Sequence, residues 1–212
     1  MTELQPQPHV FNFKITIMKM LNVKTLLFLA FISLISCKAQ QIYPLNTLMD
    51  NISPGGYVKD LNNELSPYVG VYKGNFKGNE ITLYITKEDK KLEKDIEKIY
   101  YMDALIIKFK VKSNSGVILQ DTSTINFPAD GLSHNFIYSI GTKPNINSVV
   151  FIYSGTNCGV GWGKILLKKL SATQISWTYI QNSSVLTEQN CPGNPDTNVY
   201  LPDTKDLIFN KQ

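Results

Sequence analysis

From Tyr68 to the C-terminus the apolar positions of this chain recur every second residue. In "PYVGVYKGNFKGNEITLYITK", Val69, Val71 and Lys73 alternate with Tyr72 and Phe76. Lys77-Gly-Asn79 breaks the run, and Ile81, Leu83 and Ile85 then alternate with Thr82, Tyr84 and Thr86. Two period-two runs around a glycine turn predict a β-hairpin. "YYMDALIIKFKVK" is the clearest strand, with Leu105, Ile107, Phe109 and Val111 on one side and Ile106, Lys108, Lys110 and Lys112 on the other. One buried and one wet face is the mark of an antiparallel sheet or barrel wall. Strand-like runs follow at 116–120, 135–139, 148–153, 165–168 and in "QISWTYI", where Ile175, Trp177 and Tyr179 share a face. The tail adds a last strand with Leu207 and Phe209 on one side. Turn clusters at 113–116, 128–131 and 143–145 separate these runs, and 191–198 reads as a loop.

Eight or nine short strands with frequent turns predict an all-β, antiparallel domain over residues 67–212. Period alone does not separate barrel from sandwich. An up-and-down, lipocalin-like barrel is favoured because the strands follow in simple succession and closure removes exposed edges. The charged run "KEDKKLEKDIEK" (87–98) fits either a short solvated helix, with Leu92, Ile96 and Ile99 at helical spacing, or a charged loop. Residues 37–66 read as a tether and an irregular arm. Leu45, Leu48 and Ile52 have helical spacing there, but Pro44 and Pro54 limit any helix to about two turns.

Ahead of the arm the pattern is of another kind. Lys19 and Lys24 precede "TLLFLAFISLIS", an apolar run too short to span a bilayer, which takes about 20 residues. A basic end, a short apolar stretch and a small residue describe an export signal. Leu34-Ile35-Ser36-Cys37 resembles the bacterial lipobox, whose cysteine is lipidated and becomes the first residue. Residues 1–36 are therefore expected to be a lipoprotein signal. Residues 1–17, with Glu3, two prolines and His9, look like an over-long start, and Met18 or Met20 is the more natural initiator.

Composition changes the picture in three ways. The formal charge is +4, but losing Lys14, Lys19, Lys24 and Glu3 with the signal brings it to about +2. That basicity is no footprint for nucleic acid. The chain has no arginine, which weakens any proposal that needs two-pronged recognition of phosphate or guanine. With Cys37 lipidated, Cys158 and Cys191 remain in an oxidising compartment, where pairing is the default; two unrelated thiols are the alternative. No metal or cofactor is expected, since there is no C-x-x-C and the mature chain has one histidine, His134, in a turn.

Other candidate chemistry reduces to structure. Cys158-Gly-Val-Gly-Trp-Gly-Lys164 is not a phosphate loop. The Walker pattern would need glycine at 158 and Ser or Thr at 165, and the dinucleotide pattern would need glycine where Lys164 stands. It reads as a tight connection between strands, pinned by the disulfide. Asp103, an acid among apolar residues, reads as a strand-end or turn group rather than a catalytic base. The aromatic residues Tyr72, Phe76, Tyr84, Trp162, Trp177 and Tyr179 are the candidate lining of a ligand cavity in a barrel mouth; packing in a β core is the alternative.

Five features together, "ISCKAQ", "DLNNELSPYVGVYKGNFKGNEITLYI", "YYMDALIIKFKV", "SGTNCGVGWGKILL" and the tail "FNKQ", resemble an uncharacterised family of small lipoproteins from Bacteroidetes-type bacteria. "PYVGVYKG" is also similar to the opening strand of lipocalin-like barrels, with Tyr72 in place of their tryptophan. The resemblance implies an envelope lipoprotein with a β domain and no assigned activity. Lys38-Ala-Gln-Gln-Ile42 lacks the acidic residues that would resemble a surface-export signal, so an outer-membrane protein facing the periplasm is expected. The expected role is non-catalytic: binding a small apolar ligand or an envelope protein, or else serving as an interaction module with a filled core.

Overall fold

The computed structural model describes residues 39–95, 97–127 and 133–212. The signal, Cys37 and the 128–131 turn expected above lie outside them in whole or in part. Eleven strands follow in order: β1 (Ile42–Pro44), β2 (Tyr57–Lys59), β3 (Gly70–Phe76), β4 (Asn79–Lys94), β5 (Ile99–Lys112), β6 (Ile118–Asp121), β7 (Ile137–Lys143), β8 (Ser148–Tyr153), β9 (Gly163–Lys169), β10 (Gln174–Gln181) and β11 (Leu207–Lys211). Among the described residues there is no α-helix, only single 3₁₀ turns.

Eight strands form a closed antiparallel barrel. The wall runs β5-β4-β3-β11-β10-β9-β8-β7, and β7 returns to β5 through Ile106↔Tyr138 and Ile107↔Ile137. Apart from β6 the strands meet their neighbours in chain order, and β11 closes on β3. This is the expected lipocalin-like, up-and-down arrangement. The first hairpin forms as the sequence predicts: Lys77 and Gly78 both have positive φ (48° and 83°), the geometry of the two-residue turn that matches strand twist.

The remaining three strands lie outside the barrel, along β5. Its first residues pair in parallel with β2, which pairs with β1. Its middle pairs with β7, and its end with β6. β5 is therefore buried on both faces from Met102 to Ile107, where Met102, Ala104 and Ile106 are covered on the outside. The wet outer face expected of it exists only from Lys108 onward.

Residues 87–94 of the charged run are neither helix nor free loop, because β4 continues through them to Lys94; Ile96 lies outside the described residues. A bulge sets Asp89 and Lys90 against the single residue Asp103. Ahead of the bulge, even-numbered residues of β4 face outward; beyond it, odd-numbered ones do, so Lys91 pairs opposite Met102 and Glu93 opposite Tyr100. The shift erases the period-two signal and leaves a false helical one. In the arm, likewise, the Leu45, Leu48, Ile52 spacing yields one 3₁₀ turn at Met49–Asn51, with Leu48 exposed.

The barrel interior is filled. Tyr72, Leu83, Ile107, Phe109, Phe151, Tyr153, Leu167, Trp177 and Phe209 have no measurable exposure, and every wall strand contributes to one continuous core. Trp177 packs 5.9 Å from Phe209 and 6.4 Å from Tyr179, which meets Tyr153 edge-on at 5.9 Å. Each such side chain contributes about 1.5–3 kcal/mol by leaving water.

Candidate functional site

Two ends and one outer groove can host function. At the end bearing the β3–β4 turn, the 25-residue segment 182–206 folds back over the barrel. Cys158 in the β8–β9 connection is disulfide-bonded to Cys191 in that segment, across a Cα separation of 5.3 Å. Trp177 donates its indole N–H to the Pro202 carbonyl at 2.9 Å, and the Tyr179 hydroxyl donates to the Gly161 carbonyl. Leu201 and Pro202 are buried beneath. The β8–β9 connection is the tight, disulfide-pinned turn expected, not a phosphate cradle. At Gly163 a Cβ would lie 2.3 Å from the Ile180 carbonyl oxygen, so the backbone contact between β9 and β10 requires glycine there.

The other end, the base, is closed by the arm. Tyr68 donates to the Asn147 carbonyl at 2.6 Å, and burial pushes its phenol up to about 12. Lys169 donates to the Pro67 carbonyl at 2.8 Å, Lys211 to the Val69 carbonyl at 2.8 Å, and both ammonium groups sit 5.7 Å from the Tyr72 ring. Burial and the neighbouring Lys211 charge hold Lys169 below the usual lysine range. Asn46 and Glu64 of the arm both bond Thr142 on β7.

Asp103, facing the β4 bulge, is the centre of the clasp between arm and wall. Its carboxylate accepts from the Tyr57 hydroxyl at 2.5 Å, the Asp60 amide at 3.0 Å and the Lys90 amide at 3.1 Å. Asp60, also buried, accepts from the Glu64 and Leu65 amides at 2.7 and 3.1 Å. Lys87 lies 3.4 Å from Asp60 and 3.9 Å from Asp103. Burial alone would raise the Asp103 pKa; the Tyr57 hydrogen bond, the two amides and Lys87 outweigh it and hold the carboxyl below the ordinary range. Tyr57 is pushed well above the ordinary phenol range, by burial first and by Asp103 second. Both oxygens of Asp103 are thus bonded within the fold, and the residue sits inside β5 opposite the bulge rather than at the strand end or turn expected of it.

The six aromatic candidates do not share one surface. Tyr72, Trp177 and Tyr179 are interior packing residues. Phe76 is partly buried at the hairpin end. Tyr84 projects from the outer side of β4, and Trp162 is 47% exposed beside the disulfide turn. None of them lines the depressions in the surface described here. His134 is exposed.

A site that sequence reasoning missed lies between the arm and the outside of the wall. This groove, of about 530 Å³, has Leu45, Ile52 and Val58 on the arm side and Tyr100, Met102 and Tyr138 on the barrel side, with Glu93 at its edge. Nearby, Lys91 is buried, bonded to Glu93 at 2.6 Å and set 4.4 Å from the Tyr138 ring. Burial raises the Glu93 pKa against the pull of Lys91. The signal was in the sequence: "YYMDALII" is apolar at both parities, as in a strand covered on two sides. Among the described residues, no three His, Cys, Asp or Glu side chains gather as metal ligands.

Residues 18–212 match the family described as "Family of unknown function (DUF6705)", and the chain belongs to that family. No curated protein and no solved structure matches it.

Proposed function

We propose that this member of DUF6705 is an exported protein, lipidated at Cys37 and held at the outer membrane facing the periplasm, and that its barrel is a non-catalytic module for binding an envelope protein. The observation that carries the second half is the filled barrel, closed by the arm at one end and by the disulfide-bound segment at the other. A carrier of small apolar molecules needs an open, apolar-walled cavity of several hundred Å³. Here the aromatic residues that would wall it occupy the space themselves. The surface left for recognition is richest at the disulfide end, where Trp162, Ile180, Val185 and Leu186 are exposed together with the long segment 182–206. Structureless segments of that length are commonly functional.

Export and lipidation rest on the basic end, the short apolar run and Ser36-Cys37 in the sequence. The Cys158–Cys191 bond is in keeping with an oxidising compartment. The family match begins at Met18 and so includes the signal-like segment.

A second reading is favoured by the groove beneath the arm. Its volume and its apolar walls suit a small apolar ligand, bound outside the barrel rather than within it. Native mass spectrometry of protein extracted from its host's envelope separates the two. The interaction module predicts a chain beginning at Cys37, heavier by its acyl groups, lighter by the two hydrogens of the disulfide, and free of bound small molecules. A retained apolar molecule lost on Tyr138→Asp substitution would instead favour the groove. An unmodified full-length mass would remove lipidation from the account.

A further inference from the structure

The base of the domain carries exposed apolar side chains that the fold does not use. Leu48 is 73% exposed, Ile42 54%, Ile99 51% and Met49 46%. They belong to one end of the molecule. Lys98 donates to the carbonyls of Met49 and Ile52, the Gly55 amide donates to the Ile99 carbonyl, and the Tyr57 amide donates to the Gln41 carbonyl. Ile42 pairs with Tyr57, which pairs with Tyr101 two residues beyond Ile99. Charges at this end are of both signs: Lys59, Lys94 and Lys98 stand with Asp50, Asp95 and Glu97. Such a surface has no strong electrostatic preference among lipids.

Chain length decides what meets this surface. Five residue steps separate Cys37 from Ile42, a reach of at most about 18 Å when fully extended. The headgroup layer takes up about 5–8 Å of that. A seven-residue wall strand rises about 23 Å, so the tether is shorter than the barrel wall and keeps the base, not the disulfide end, at the bilayer.

We infer that the base, through Ile42, Leu48, Met49 and Ile99, is a lipid-contacting surface that seats the domain on the membrane holding Cys37, and so turns the disulfide end outward. The inference rests on the lipidation proposed above and names the partner of this face: the bilayer interface. Leu48 and Met49 fill the role that apolar side chains play at the headgroup–acyl boundary in surface-bound proteins.

The test uses the full-length protein, processed and lipidated in a bacterial host and reconstituted into phosphatidylethanolamine–phosphatidylglycerol vesicles. Bimane is attached at Leu48→Cys, at Ile99→Cys and, as the far-end reference, at Val117→Cys. All three positions are exposed, and Val117 follows the far end of β5. Lipids brominated near the headgroup are expected to quench bimane at 48 and 99 and to leave 117 bright. Equal quenching at all three positions, or quenching at 117 alone, overturns the inference while leaving the anchor intact. Vesicle flotation and intact mass test the anchor separately: a chain with no acyl mass that fails to float overturns the lipidation and this seating with it.

Discussion

The two ends of the barrel are closed by opposite means. At the base the closure is polar: a buried carboxylate, Asp103, receives one phenol and two amides, and two lysines hold the arm by its carbonyls. At the far end it is covalent and apolar, made by Cys158–Cys191 above Leu201, Pro202 and Trp177. A hydrogen-bonded clasp depends on protonation; a disulfide depends on redox state. The same barrel should therefore fail at different ends under different stresses.

The largest expected effect is at the base. Asp103→Ala leaves the buried Tyr57 hydroxyl and Asp60 amide and the part-buried Lys90 amide without their acceptor, while Lys87 keeps Asp60 and Asp89, and is expected to cost about 3–5 kcal/mol, at about 1–3 kcal/mol for each buried group left unpaired. Chemical denaturation would measure it, and limited proteolysis would find new cleavage within 40–66 while 182–206 stays protected. Cutting the far closure by Cys158→Ser with Cys191→Ser is expected to cost about 3–4 kcal/mol in the chain-entropy model, with the opposite cleavage pattern. Should either variant open both ends at once, the two closures are not independent. Tyr57→Phe, which removes one donor from Asp103 and leaves its amides, is expected to cost about 1–2 kcal/mol.

pH sharpens the same contrast. The folded pKa of Asp103 lies below its unfolded value, so its contribution is present above the ordinary carboxylate range and is lost as pH falls through the folded pKa. Acid should therefore loosen 40–66 before 182–206, as hydrogen exchange can follow. Tyr68 and Tyr100 are both raised to about 12, chiefly by burial. Their contribution holds below pH 10 and is lost as pH rises through about 12. Phenolate absorbance is expected to lag behind that of exposed tyrosines until the barrel opens.

What the sequence disclosed follows the same division. The wall strands were legible where their pairings keep strict alternation, as β3 does with β4, with Ile81, Leu83 and Ile85 inside and Thr82, Tyr84 and Thr86 outside; the β4–β5 and β7–β8 pairs are each interrupted by a register shift. Cys158 and Cys191 were legible through the compartment that the N-terminal segment implies. The base was not. The parallel pairing of β1 and β2 onto β5 has no turn signal, and the bulge at Asp89–Lys90 reverses the parity of β4 midway. Buried Lys91 is masked by its charge, since the Tyr138 ring beneath it lies 47 residues away in the chain. The six aromatic candidates failed to converge for a local reason. Tyr84 has the outward parity of β4 and Trp162 lies in the β8–β9 connection, while Tyr72, Trp177 and Tyr179 have the inward parity and are packed in the core.

The barrel interior is packed solid, and recognition is proposed to lie on its outer surfaces. Trp177 is buried in the core and Trp162 is exposed beside the disulfide turn, so a Trp162→Phe chain isolates the interior in one fluorophore. Its emission is expected to be short in wavelength and insensitive to acrylamide and to added apolar ligands. Emission that acrylamide quenches, or that shifts as a small molecule enters, would contradict a filled and closed barrel.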